Sequence, residues 1–498
     1  MSSWAAGVRR DPAVVLLLGA MIAMTVTAQT GSRVGVVAPI VALTAIFAVA
    51  HRRLLQWHNL VAAILMIILF VPIKRYSLPG ALPFHFELYR LAVMLVVIAW
   101  VSSLLIDPRV RLQRTAFDTP LLLICMWTLA SEIANPGRVN ALSGYVAKGL
   151  TFFLSFVLVY YVISSVINTR RQINFLLRIF VVGTTGISVA AIVEQRTGFN
   201  IFYHLHTVFP FLHFEGGAVL SRFGRLRVYG PAQHPIALGA SLVVPIPLAV
   251  AFARTRTRLW WIAVAALLLG ALATGSRTAI IMLVAMVVVF LRLKPAETKR
   301  LWPALLPLVV VVHALLPGAI GSLRNAFFPP GGIIQEQTQL AQGADPNLAG
   351  GRVRQLRPML REALGHPLFG EGYSTRITGF DSKFRNAPIL DNQWLNNVLE
   401  LGYVGVSFWI WLFVRAVRRL MRASRAGDDG DDWLFAGLAS AICGFGVGMF
   451  TFDAFGFIQI TFFLWILLAI AAAALRISEA KIAQPQRLPR RLVRPRTT

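Results

Sequence analysis

The sequence predicts an all-α polytopic membrane protein with 12–14 transmembrane helices and a large extracytoplasmic loop containing an amphipathic helix. Three observations lead there. Hydrophobic residues fill 57% of the 498 positions, and Asp, Glu, Lys and Arg only 14%, well below the roughly 25% of a soluble domain. The apolar residues gather in runs of about 16 to 24 that do not alternate, so they read as helices long enough for a bilayer and not as barrel strands. The basic residues flank these runs. So apolar a chain excludes a soluble fold, which needs a more polar surface, and a disordered one, which is poor in apolar residues.

Taken in order, the predicted spans are 13–30, 34–50, 58–73, 88–106, 118–134, 146–166, 173–194, 234–253, 258–275, 277–292, 301–318, 392–414, 433–451 and 456–475. Arg9 and Arg10 precede the first run. No small-x-small cleavage site followed by a soluble domain comes after it, so it reads as a span and not as a removed signal peptide. In alternating topology, eight segments on the side of the N-terminus hold 28 Lys and Arg. The short turns on the other side hold six, Arg33, Lys74, Arg75, Arg138, Lys148 and Arg277. This asymmetry predicts that both termini are cytoplasmic. It also accounts for the net charge of +27 without nucleic acid as a partner. The tail 476–498 reads as a basic, membrane-surface segment.

Two long connections, 195–233 and 319–391, fall on the outer side. The second begins Pro- and Gly-rich (PPGG, 329–332) and then reads RVRQLRPMLREALGHPLFG. That stretch predicts an amphipathic helix stopped by Gly365 and Pro367. Leu356, Met359, Leu360, Ala363 and Leu364 form its apolar face, and Arg352, Arg354, Arg357 and Arg361 its basic one. Such a helix also suits the headgroup region of the outer leaflet.

Charge inside a membrane is costly, so its placement is informative. Arg90, Lys148, Arg178, Glu194 and Asp453 all sit near span ends, where long side chains reach water. No span carries a mid-depth ladder of charge, which argues against a pump, a voltage sensor or an ion channel. Cys125 and Cys443 lie inside apolar runs, which disfavours a disulfide framework. GFGVGMF (444–450) reads as close helix packing, and no nucleotide-binding motif occurs. His204, His206 and His213 share one outer loop, but apart from Glu215 no Asp, Glu or His set of metal-site spacing accompanies them.

The polar density is on the outer side instead. Arg222, Arg225 and Arg227 lead to Gly230 at the end of the first long connection. Arg277 lies in a short turn, Arg352 opens the amphipathic stretch, and Asp391 and Asn392 stand where the second connection returns to the membrane. Guanidinium forks match phosphate oxygens, so this grouping predicts a phosphate or pyrophosphate ligand. A carboxylate among them serves as general base on a hydroxyl, and fixed positive charge stabilises a phosphate leaving group. The bland readings are that Arg277 is an interfacial anchor and Asp391 a helix N-cap.

Four segments resemble the bacterial O-antigen ligase and O-antigen polymerase superfamily of membrane glycosyltransferases. They are RVYGPAQHPIALGASLVVPIPLA (227–249), ATGSRTAIIMLVAM (273–286), GGRVRQLRPMLREALGHPLFGEGY (350–373) and DNQWLNNVLELGYVGVSFWIWL (391–412). The resemblance implies an undecaprenyl-pyrophosphate-linked oligosaccharide donor, a glycan acceptor, a lipid bilayer setting in the bacterial cytoplasmic membrane, and neither metal nor cofactor. It places Arg227, Arg277 and Arg352 on the donor pyrophosphate, with Arg222, Arg225, Asn392 and Gly230 in support. Asp391 stands where ligases carry a His, which points towards polymerisation of repeat units. The alternatives are a ligase that transfers finished glycan to lipid A-core or another acceptor, and a transporter of lipid-linked sugars. The expected organisation is N-terminal spans over 1–194, the ligase/polymerase-like core over 195–415, C-terminal spans over 416–475 and the basic tail.

Overall fold

A computed structural model describes residues 55–79, 86–217, 220–222, 225–316, 321, 324, 356–376, 390–427 and 430–483. The predicted spans 13–30 and 34–50 and the basic tail from 484 onwards lie outside the described residues. Helices dominate: α1 (Trp57–Phe70), α2 (Leu88–Ile106), α3 (Asp118–Ala134), α4 (Ser143–Val166), α5 (Arg170–Thr197), α6 (Pro235–Val243), α7 (Ile246–Thr255), α8 (Trp260–Ala273), α9 (Arg277–Leu293), α10 (Leu305–Leu315), α11 (Leu356–Ala363), α12 (Gln393–Ala426), α13 (Asp431–Gly448) and α14 (Ile458–Ala483). Among the described residues, six helical segments are long and apolar enough to cross a bilayer. The chain is an all-α polytopic membrane protein.

The apolar stretch of α14 is entirely buried. It packs against α4, α6, α12 and α13. Ala471, Ala472, Ala473 and Ala474 let neighbouring helices approach, and Trp465 fills the space beside them against Phe153, Phe156, Tyr160 and Trp409. Small residues beside large aromatics give dense packing where no water-driven hydrophobic gain is available between spans. The outer helices turn apolar side chains outward instead. On α2, Ile98, Leu105 and Ile106 are exposed, which suits lipid and not water.

The predicted spans differ from the helices in detail, two of them for clear physical reasons. The run 234–253 is broken into α6 and α7 at Val244–Pro245, because Pro247 and Pro245 cannot donate into an unbroken ladder. The run 392–414 continues as a helix to Ala426. Its arginines end the hydrophobic stretch, but Ala416, Leu420 and Ser424 still face the interior, so the helix continues beyond the apolar run.

The glycines of GFGVGMF do pack helices closely. A Cβ at Gly444 or Gly448 would strike Met286 or Met282 of α9, and one at Gly446 would strike Phe413 of α12. At the end of the bundle where α5 and α13 begin, ion pairs tie the elements together: Arg170–Asp431 at 2.7 Å, Arg254–Glu297 at 3.0 Å, and Lys294 with Asp432.

The opposite end carries the short strands. Strand β1 (Tyr76–Ser77) pairs antiparallel with β2 (His213–Phe214), and β3 (Leu220–Arg222) with β4 (Arg225–Arg227), placing Arg222 opposite Arg225. The Tyr76 hydroxyl donates to the Phe202 carbonyl and accepts the Leu205 N–H, both at 3.0 Å. The turn after α1 is thereby fastened to the first long connection.

Candidate active site

The site is built around the turn between α13 and α14, residues 449–457. Gln393, in the first turn of α12, is 1% exposed and grips this turn three ways. Its N–H donates to the carbonyls of Met449 at 2.8 Å and Phe452 at 3.2 Å. Its side-chain oxygen accepts the Phe455 N–H at 2.7 Å, and its amide nitrogen donates to Asn397 Oδ1 at 2.8 Å. Asp391, two residues before Gln393, is thereby held near Asp453.

Asn392, not Asp391, is the cap of α12: its side chain accepts the Leu395 N–H at 3.1 Å. The capping reading of Asp391 is thus overturned. Asp391 precedes the cap, half-buried, and its charge acts on Asp453. Burial pushes the Asp453 carboxyl up to about 6. Asp391 adds to that rise, and the Gly456 N–H and Lys74 oppose it. Gly456 is required at close range, because a Cβ there would lie 2.4 Å from Asp453 Oδ2.

The other predicted segments reach the same turn. Arg277 is the first residue of α9, and the hydroxyl of its neighbour Thr278 lies 2.9 Å from that of Thr451. Gly239 of α6 sits against this Ser-Arg turn, where a Cβ would meet Thr274 Oγ1 at 2.8 Å and Ser276 Cβ at 3.0 Å. Downstream of Arg227, Gln233 accepts the Ile458 N–H at 2.8 Å, and the His234 ring stacks on Phe457. The N-termini of α6, α9, α12 and α14 therefore meet at one end of the bundle, with partial positive charge that favours an anion.

The loop that brings in Arg227 is pinned from below. Glu194, near the end of α5, accepts the N–H groups of Tyr229 at 3.0 Å and Gly230 at 2.8 Å, and Asn200 donates to the Gly230 carbonyl at 2.9 Å. Gly230 has φ +50°, a conformation glycine adopts without penalty. Arg222 and Arg225 are placed on the β3–β4 hairpin by their backbone pairing. Arg352 and Arg354 lie outside the described residues.

The remainder of the amphipathic stretch is held by a break in α12. At Gly402 (φ 71°, ψ −179°) the helix loses its regular hydrogen bonds, and the His-Pro-Leu-x-Gly-x-Gly turn supplies replacements. Tyr403 N–H donates to the Pro367 carbonyl at 2.8 Å, Glu371 N–H to Leu399 at 2.8 Å and Gly372 N–H to Glu400 at 3.2 Å. From α3, Ser131 donates to the Glu400 carbonyl at 2.7 Å and Trp127 to Leu401 at 2.9 Å. A broken helix persists at membrane depth only where its freed groups are satisfied in this way. Met359 and Ala363 of α11 then pack on Leu395 and Leu399, so at least this part of the stretch docks on the bundle. Glu371 is clasped by Arg138 at 2.8 Å and Arg376 at 3.3 Å. Burial still pushes its carboxyl above the ordinary range, against the pull of both arginines.

Sequence reasoning read Glu194 and Asp453 only as span-end charges and did not single out Gln233 or Gln393. The available signal was a carboxylate in the aromatic turn TFDAFGF with no basic residue beside it in sequence.

Residues 240–410 match the family model described as O-antigen ligase. The match supports the O-antigen ligase/polymerase superfamily, and with it a function of ligase/polymerase type in polysaccharide biosynthesis. No curated protein matches the chain. The matched segment runs from α6 into α12, and it contains Arg277, Arg352 and Asp391. Arg227 and Gln233 precede it, and Asp453 follows it.

Proposed function

We propose that this chain is a membrane glycosyltransferase that polymerises polysaccharide repeat units at the outer face of the cytoplasmic membrane. The donor is an undecaprenyl-pyrophosphate-linked glycan and the acceptor a sugar hydroxyl. The acceptor oxygen attacks the anomeric carbon of the donor, and its proton passes to Asp391. The bond from that carbon to the phosphate oxygen breaks, and the lipid pyrophosphate leaves with the electron pair. Arg227, Arg277, Arg352 and the converging helix N-termini meet its charge, so no metal or cofactor is required in this reading. The topology with both termini cytoplasmic belongs to the same proposal.

The observation that carries this reading is the clamp of Gln393 on the 449–457 turn. It holds Asp391 where the Ser-Arg turn and the Arg227 loop also arrive. A second reading, transfer of finished glycan to lipid A-core or another acceptor, is favoured by the ligase description of the matched family. Glycan length in cells lacking the protein separates the two. Polymerisation predicts single repeat units that wild type extends and that Arg352→Ala and Asp391→Asn do not. Ligation predicts full-length chains stranded on the carrier lipid. Full complementation by both variants would overturn the site.

A further inference from the structure

Asp453 and Lys74 lie outside the matched segment, yet contacts of their neighbours bring them near Asp391, which lies within it. Gln459, 2% exposed at the start of α14, donates to the carbonyls of Ile68 at 2.8 Å and Leu69 at 3.2 Å. The end of α1, and the turn that follows it, are thereby placed beside the 449–457 turn. In that turn Lys74 has φ 63°, a left-handed conformation unusual for a residue with a side chain. Its N–H is held at 3.0 Å by Glu87. Such strain is retained where the surroundings fix it, and it concentrates at functional sites. Across from Lys74, Gln393 and the Gly456 N–H fix Asp453 next to Asp391.

We propose that Asp453 is a second acceptor-binding carboxylate, which receives a hydrogen bond from a sugar hydroxyl next to the one that Asp391 deprotonates, with Lys74 as its counter-cation. This rests on the transferase reading above. Two carboxylates close enough for one to act on the charge of the other can each take one of two hydroxyls on one ring, so in this reading the site selects acceptor sugars that carry such a pair. An ionised carboxylate accepts from a hydroxyl more strongly than a neutral one.

The charged and titratable groups acting around Asp453 are Asp391, Lys74, Tyr373 and Glu400. Burial first, and then Asp391, raise its carboxyl to about 6, and Lys74 opposes the rise. Acceptor binding should therefore weaken as pH falls through about 6. Loss of Lys74 should move that limb to higher pH, and loss of the Asp453 carboxyl should remove it.

The test uses the full chain in nanodiscs. Lipid-linked repeat unit extracted from cells that lack the protein is the donor, and the same oligosaccharide released from its lipid is the acceptor. Asp453→Asn is expected to raise the acceptor KM about 10- to 100-fold, the range of a hydrogen bond to a charged group, and to leave the donor KM within about twofold. Lys74→Met, at an exposed side chain, is expected to shift the acid limb upward and keep the melting temperature. Unchanged acceptor KM and pH limb in both variants would overturn the inference. Absence of transfer by wild type would instead overturn the transferase reading, before any variant is compared.

Discussion

Gln393 Oε1 accepts the Phe455 N–H at 2.7 Å, a side-chain bond that acts with the Gln393 N–H on Met449 and Phe452 to join two segments 62 residues apart and hold the two aspartates of the site together. Replacing Gln393 with Leu keeps the volume and the backbone N–H bonds to Met449 and Phe452, and removes both side-chain hydrogen bonds, to Phe455 and to Asn397. A buried N–H left without a partner costs about 1–3 kcal/mol. Gln393→Leu should lower the melting temperature in detergent and reduce transfer at least tenfold per folded molecule. A variant with wild-type transfer would show that the turn holds its place without the clamp.

The break in α12 makes a second, steric prediction. A Cβ at Gly402 would lie 2.2 Å from the Leu368 carbonyl oxygen, and one at Gly370 would lie 2.4 Å from the Glu400 carbonyl carbon. Both glycines also have positive φ, which costs other residues roughly 1–2 kcal/mol before any clash. Gly402→Ala and Gly370→Ala should undock the loop, seen as new protease sensitivity between α11 and α12. Gly186→Ala is the control. It meets nothing within 4 Å and should be neutral or stabilising by up to about 1 kcal/mol.

The helices were legible in the sequence because hydrophobic length and charge asymmetry are local signals. α2 and α3 coincide with the predicted runs 88–106 and 118–134. Asp391 and Arg277 stood out as charges at the edge of apolar runs. What holds them was not legible. Gln393, Gln233 and Gln459 are neutral amides, common at span ends, and their roles depend on partners 62, 225 and about 390 positions away. The break at Gly402 was likewise hidden, since a glycine in an apolar run is usual in membrane helices and its φ depends on the docked turn.

Glu194 predicts the behaviour of the Arg227 loop. Its carboxylate accepts two backbone N–H groups at once, and hydrogen bonds to a charged acceptor contribute about 1.5–3 kcal/mol. Glu194→Gln keeps the shape and retains one good acceptor. It should weaken donor binding several-fold, with little change in maximal rate at saturating donor. Glu194→Ala should have a larger effect of the same kind. Donor titration of both variants checks the order, and a fall in maximal rate alone would place Glu194 in a different role.

The adjacent pair Asp391 and Asn392 separates chemistry from capping. Asn392 closes the first turn of α12 through Leu395 N–H, and loss of such a cap costs about 1 kcal/mol. Asn392→Ala should therefore melt lower while each folded molecule keeps most of its turnover. Asp391→Asn keeps the size of the side chain and leaves the cap untouched, but an amide cannot take the acceptor proton. It should melt close to wild type, bind the lipid-linked donor, and lose turnover by 100-fold or more, the scale of a general base. If the two variants exchange these phenotypes, the proton acceptor is not Asp391, and Asp453 is the carboxylate to test next.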